Sequence, residues 1–168
     1  MYIALEKLKT KNVKKVIVAV PERSIAKSFA DTSLKTSGFH SDWHIDSKYD
    51  LCSPGGETGK IKLFLEFLDS DAPVLLCTHS TLRFAFEKAD IKKFNDVLIA
   101  IDEFHHVSIH EDNQLGKLLR KVMAETSAHV LAMTGSYFRG DSNAILMPED
   151  EATFTKVTYN YYEQLNGY

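Results

Sequence analysis

Four short apolar runs, at residues 16–20, 74–77, 97–101 and 129–133, punctuate this chain, and polar positions within them are scarce. Runs of that length and composition suit strands buried on both faces of a sheet. Between them the apolar residues change period. Leu5 and Leu8 mark a helix over Tyr2–Lys9 with no capping residue before it, so the chain is expected to begin inside a helix. Ile25 and Phe29 mark another from about Ser24, and Ile61, Phe64, Leu65 and Leu68 form the stripe of a helix over residues 58–68. Leu82, Ala85, Phe86 and Ala89 follow Ser80, which can cap them, and Leu115, Leu118, Leu119, Val122 and Met123 define a helix over 113–126. Residues 32–46 show no period, with Trp43 and Ile45 as their expected anchors. Residues 49–53, and residues 154–159 with their uneven alternation of Phe154, Lys156, Val157 and Tyr159, suit two further strands.

Strands separated by helices of this length imply right-handed crossovers and an α/β fold, a three-layer sandwich around a mainly parallel sheet. At 168 residues, with no repeat and no linker-like stretch, residues 1–168 read as one domain. The chain is 44% hydrophobic and 26% charged, which removes the disordered and fibrous classes. No apolar run approaches the ~20 residues that cross a bilayer, so no membrane partner is expected. The first fifteen residues lack the apolar core of a secretion signal, and a cytoplasmic location is expected. Cys52 and Cys77 have no CxxC spacing and read as reduced, partly buried thiols. A net charge of −3 argues against holding nucleic acid by bulk charge alone, although it leaves room for a local basic groove. Lys7, Lys9, Lys11, Lys14 and Lys15 read as a solvated helix end and turn.

The candidate chemistry lies where the strands stop. Residues 97–101 deliver Asp102, Glu103, His105 and His106 to the point where a buried strand opens to solvent. The other three runs end in Pro21-Glu22-Arg23-Ser24, Thr78-His79-Ser80-Thr81 and Thr134-Gly135-Ser136. In an open parallel sheet such ends share one edge, where ligands bind.

That ordered set resembles the first RecA-like motor domain of superfamily 2 DEAD/DEAH-like helicases, in the DExH form, and is similar to the motor subunits of restriction enzymes. Asp102-Glu103-Phe104-His105 resembles the DExH box, residues 16–29 the motif that touches the nucleic-acid backbone, and Thr78 to Leu82 the later Thr-x-x-x-Leu contact. Residues 133–141 resemble the Thr-Gly-Thr-Pro-Phe-Arg-Ser-Asp form of the coupling motif. The resemblance spans residues 2–141.

It implies an ATP-dependent DNA or RNA helicase or translocase, DNA being the favoured track. Asp102 would position Mg²⁺ through water on the nucleotide's phosphates, and Glu103 would orient or deprotonate the attacking water. His105 would reach toward Thr134 and Ser136, and Thr134, Gly135, Ser136 and Arg139 would form the coupling segment. Pro21, Arg23, Ser24, Thr78, Ser80 and Thr81 would hold the nucleic-acid backbone from two helix starts, although Ser80 and Thr81 can equally be helix caps. The implied cofactors are ATP and Mg²⁺, and the implied partners are nucleic acid and a second RecA-like domain of the same protein.

Two segments imitate other sites. Residues 54–61 imitate a Walker A loop, but Pro54 stands where Gly is required and Ile61 where the magnesium-binding hydroxyl belongs. His105, His106, His110 and Glu111 could suggest zinc, yet the HExxH order is missing. Residues 2–9 resemble the remainder of the helix that follows the family's phosphate loop, so the chain is expected to start just after that loop and to bind neither ATP nor Mg²⁺ tightly alone. The sheet edge at residues 129–133 should then lie open, for residues 154–159 to cover or for a second copy to pair with. A decayed motor domain acting as a non-catalytic nucleic-acid or protein binding module is the competing reading. A metal-dependent α/β hydrolase or nuclease using Asp102 and Glu103 is the third.

Overall fold

The computed structural model describes residues 1–54, 56–107, 114–135 and 152–157. Strands β1 (Lys15–Val20), β2 (Val74–Thr78), β3 (Val97–Ile101) and β4 (His129–Ala132) form an all-parallel sheet in the order β2-β1-β3-β4. The register sets Val16 of β1 between Val74 and Leu98, and Ile99 of β3 between Ile17 and Val130. Every carboxyl end therefore falls on one rim. Helices α1 (Tyr2–Lys9), α2 (Glu57–Asp69), α3 (His79–Lys88) and α4 (Gln114–Glu125) complete the described helical layers, joined by short 3₁₀ turns.

Alternation along the strands divides the core. Ile17, Ala19, Leu75, Cys77, Ile99 and Ile101 form one face and pack with Phe64 and Phe67 of α2, Leu82 and Phe86 of α3, and Leu119 of α4. Val16, Val18, Val20, Leu76, Leu98 and Ala100 form the other, covered by Ala4 and Leu5 of α1 and by Ala26, Leu34, Trp43 and Ile45. Both faces being covered explains why the strands read as continuous apolar runs rather than as alternating ones.

Several expectations change in detail. The helix from Ser24 is only a 3₁₀ turn at Ile25–Phe29, because the carbonyl of Phe29 accepts the Trp43 indole N–H at 2.8 Å and Ala30 is already extended. Residues 49–53 form no strand. Asp50 meets Leu76 in a single parallel bridge, after which its carboxylate accepts the Cys52 N–H at 3.0 Å and turns the chain away. Thr78, not Ser80, caps α3, its hydroxyl oxygen accepting the Thr81 N–H at 3.2 Å. The α2 stripe includes buried Phe67, and Lys60 is buried as well, while Leu65 is only half-buried. Lys15 also departs from the solvated reading: it donates to the carbonyls of Ser70 and Ala72 and lies 4.6 Å from the centre of the Phe67 ring, and its burial lowers its pKa.

Among the described residues the β4 side is the less covered one. Its residues are half-buried or exposed, whereas β2 and β3 are buried throughout. Residues 154–157 form no strand, and residues 158–159 lie outside the described residues. Phe154 nevertheless packs on the core, and residues 153–155 share with Val130, Leu131 and Ala132 the lining of an open groove of about 610 Å³. No helix among the described residues is long and apolar enough to cross a membrane.

Cys52 and Cys77 are free and buried. Burial pushes the Cys52 thiol up to about 11 and the Cys77 thiol well above its ordinary value. An aromatic disulfide reagent at pH 8 is therefore expected to leave both thiols unmodified in the native protein and to titrate them only on unfolding in guanidinium, since the thiolate is the reactive form.

Candidate functional site

The acidic box is pinned from both sides. The Asp102 N–H donates to the Ala19 carbonyl of β1 at 2.9 Å, and the Phe104 N–H donates to the Met133 carbonyl just beyond β4 at 2.8 Å. Between these bonds Glu103 takes φ 48° and ψ 52°, the left-handed region. A non-glycine residue held there costs about 1–3 kcal/mol and tends to mark function. The turn ends the strand abruptly. It leaves Asp102 and Glu103 half-buried on the rim, while Phe104 anchors the following 3₁₀ turn in the core.

Burial raises the pKa of Asp102, and the charge of Glu103 adds to the shift, while the Glu103 backbone N–H opposes it. His105 connects the box to the next strand. Its Nδ1 lies 3.0 Å from the Thr134 hydroxyl and 3.1 Å from Glu103 Oε2. An Nδ1 carrying its proton can donate to the carboxylate, whereas a bare Nδ1 can accept from the threonine. The His106 ring stacks on that of His105 with centroids 4.2 Å apart.

His79 also belongs to this site, although the sequence reading passed over it. Its Nε2 lies 3.0 Å from the Asp102 carbonyl, the Ala19 backbone also bonds the ring, and burial lowers its pKa. The available signal was its place among hydroxyl residues at a strand end.

The residues expected to meet a nucleic-acid backbone divide into two groups. Arg23, Ser24 and Ser80 are exposed and Pro21 is half-buried, all on the rim beyond β1 and β2. Thr78 and Thr81 instead turn inward. Their hydroxyl oxygens lie 3.1 Å apart, and that of Thr81 donates to Glu57 Oε2 at 3.1 Å. Glu57 Oε1 in turn lies 3.7 Å from the Arg23 guanidinium. Thr134 and Gly135 are exposed after β4, while Ser136 and Arg139 lie outside the described residues.

The imitation Walker A segment enters α2 with Gly56 at the cap position, and the buried Lys60 ammonium has no hydrogen-bond partner among the described residues. Gly55 of that segment, and His110 and Glu111 of the imitation zinc set, lie outside the described residues. Among the described residues no three His, Cys, Asp or Glu side chains gather to hold a metal.

With this geometry in view, the chain compares directly with a known protein. Over all 168 residues it is 58% identical to a Bacillus subtilis (strain 168) protein named "Putative ATP-dependent helicase YeeB". The likeness is to part of a protein that carries a helicase name. The chain spans 28% of the length of that relative. No protein-family profile matches it. An α/β unit with all its strand ends on one rim is consistent with part of a RecA-like helicase domain.

Mg²⁺ and a nucleotide fit the donors of this rim in a limited way. Asp102 and Glu103 are two carboxylates at a strand end, without a third ligand among the described residues, a set suited to a hydrated Mg²⁺ carried in on phosphates.

Proposed function

We propose that this chain forms part of the first motor domain of an ATP-dependent helicase or translocase, with DNA as its favoured track, in which the rim beyond β3 handles the nucleotide. The observation that carries this reading is the His105–Thr134 contact at 3.0 Å, which joins the acidic box to the hydroxyl-bearing turn after the neighbouring strand. Identity of 58% over these 168 residues to a stretch of the protein named "Putative ATP-dependent helicase YeeB" supports the same reading.

In this scheme Asp102 orients the hydrated Mg²⁺ and Glu103 takes the proton of the attacking water. Mg²⁺ supplies charge neutralisation at the phosphates. His105 senses Glu103 through the proton at Nδ1 and passes its state to Thr134, Gly135, Ser136 and Arg139. Pro21, Arg23, Ser24 and Ser80 contact phosphates of the track, and Thr78 and Thr81 shape the start of α3 from within. A phosphate-gripping loop with its lysine, and a second RecA-like domain, come from elsewhere in the complete protein. In the cell the motor works in the cytoplasm.

The residues in hand lack a lysine-bearing loop that cradles phosphates, so the isolated chain is expected to release no measurable phosphate from ATP in a malachite-green assay with Mg²⁺ and single-stranded DNA. The complete protein is expected to turn over under the same conditions. Brisk turnover by the isolated chain would overturn the assignment of roles, and an inert complete protein would favour the non-catalytic binding module. A GxGKT/S-type loop encoded in frame upstream of residue 1 supports the motor.

A further inference from the structure

One carboxylate sits among the groups assigned to the phosphates of the track. Glu57, the first residue of α2, places Oε2 at 3.1 Å from the Thr81 hydroxyl and Oε1 at 3.7 Å from the Arg23 guanidinium. Thr81 is fully buried and Glu57 and Arg23 are part-exposed, so the carboxylate closes over the start of α3 from the solvent side. Lys60, one turn along the same helix, is 5% exposed and its ammonium has no hydrogen-bond partner among the described residues. Arg23 and the Thr81 hydroxyl thus share this one carboxylate. A buried ammonium without an acceptor loses its water hydrogen bonds and gains nothing in return.

We infer that Glu57 is an internal stand-in for a nucleic-acid phosphate, occupying Arg23 and the α3 start in the free protein and competing with the phosphodiester for them when the track binds. The inference rests on the proposed nucleic-acid rim and adds a residue that sets its affinity. A phosphodiester that takes the same N–H groups of the guanidinium competes with the carboxylate for them, and the two anions repel each other. In this proposal Glu57 swings aside when a phosphate arrives. The contact also disfavours weakly held anions, since only a ligand gripping several points of the rim displaces a tethered carboxylate.

The test measures the affinity of the complete protein for a fluorescein-labelled twenty-nucleotide oligo-dT by anisotropy, without nucleotide, in wild type, Glu57→Gln and Arg23→Gln. Glu57→Gln keeps an oxygen for the Thr81 hydroxyl and removes the charge. It is expected to tighten binding about fivefold at low salt, an advantage that shrinks as salt rises. Arg23→Gln is expected to weaken binding. Glu57→Ser, which removes the charge and leaves a short polar side chain at the first position of α2, gives the same sign if the glutamine variant folds poorly. Unchanged or weaker binding in both Glu57 variants, with Arg23→Gln weakened, overturns the stand-in role alone. No binding by wild type, or no effect of Arg23→Gln, overturns the nucleic-acid rim on which it rests.

Discussion

Glu103→Gln in the complete protein is expected to slow nucleic-acid-stimulated ATP hydrolysis by about 10²–10⁴-fold, the range over which a positioned general base acts, with little change in the urea midpoint. The fold tolerates the change because Glu103 is half-buried and contributes to no core cluster, and its left-handed backbone is imposed by the flanking bonds from Asp102 to Ala19 and from Phe104 to Met133. Glutamine keeps an oxygen near His105 Nδ1 but cannot take a proton from water. Steady-state phosphate release and denaturation of the same preparation separate the two effects. A variant that hydrolyses ATP normally would remove Glu103 from the chemistry. A parallel loss of activity and stability would assign it a structural part instead.

Asp102 should respond differently to the same kind of change. Its folded pKa is raised above the ordinary carboxylate value, mainly by burial. Charging it therefore costs folding free energy: this group contributes no penalty at pH below its unfolded pKa, and stability falls as pH rises from there through the folded pKa. Asp102→Asn should thus lose activity with Glu103→Gln while melting slightly higher than wild type at pH 7. Stability surrendered at a carboxylate is a common mark of a site kept for chemistry.

The sheet was legible because its signal is redundant. Four apolar runs of four or five residues, each followed by turn-forming polar sequence, admit few arrangements other than a parallel sheet, and all four appear as strands. The structure also brings His105 within 3.0 Å of the Thr134 hydroxyl, while Ser136 lies outside the described residues. Illegible features depended on partners distant in sequence. Ile25 and Phe29 have helical spacing, yet the Trp43 indole takes the carbonyl that a longer helix would need. Ser80 and Thr78 are both good caps, and the end of β2 at Thr78 decides between them. Glu57 and His79 stand at variable positions of the segments that contain them. Their meaning comes from Arg23, Thr81 and Asp102, each at least twenty residues away along the chain.

Trp43→Ala is expected to destabilise the fold by about 3–5 kcal/mol, the range for removing a large buried aromatic side chain. Trp43 is 1% exposed and is packed among Leu34, Ile45 and Ala26 on the face opposite the long helices. Its N–H satisfies Phe29, and its own backbone exchanges two hydrogen bonds of 3.0 Å with Thr32, so one residue closes the whole segment from 29 to 43. Trp43→Phe retains much of the packing but orphans the Phe29 carbonyl, and should cost about 1–3 kcal/mol. Urea denaturation followed by far-UV circular dichroism reads both, the midpoint falling further in the alanine variant. The segment also bears on the rim. Ala26, Asp31 and Ile45 share with Arg23 the lining of a cleft of about 520 Å³ beside Leu76 of β2. Loosening it should weaken oligo-dT binding through Arg23 even below the unfolding transition, whereas Glu103→Gln should leave that binding intact. If Trp43→Ala matches wild type in both midpoint and affinity, the segment is not the clamp on this face that its hydrogen bonds describe.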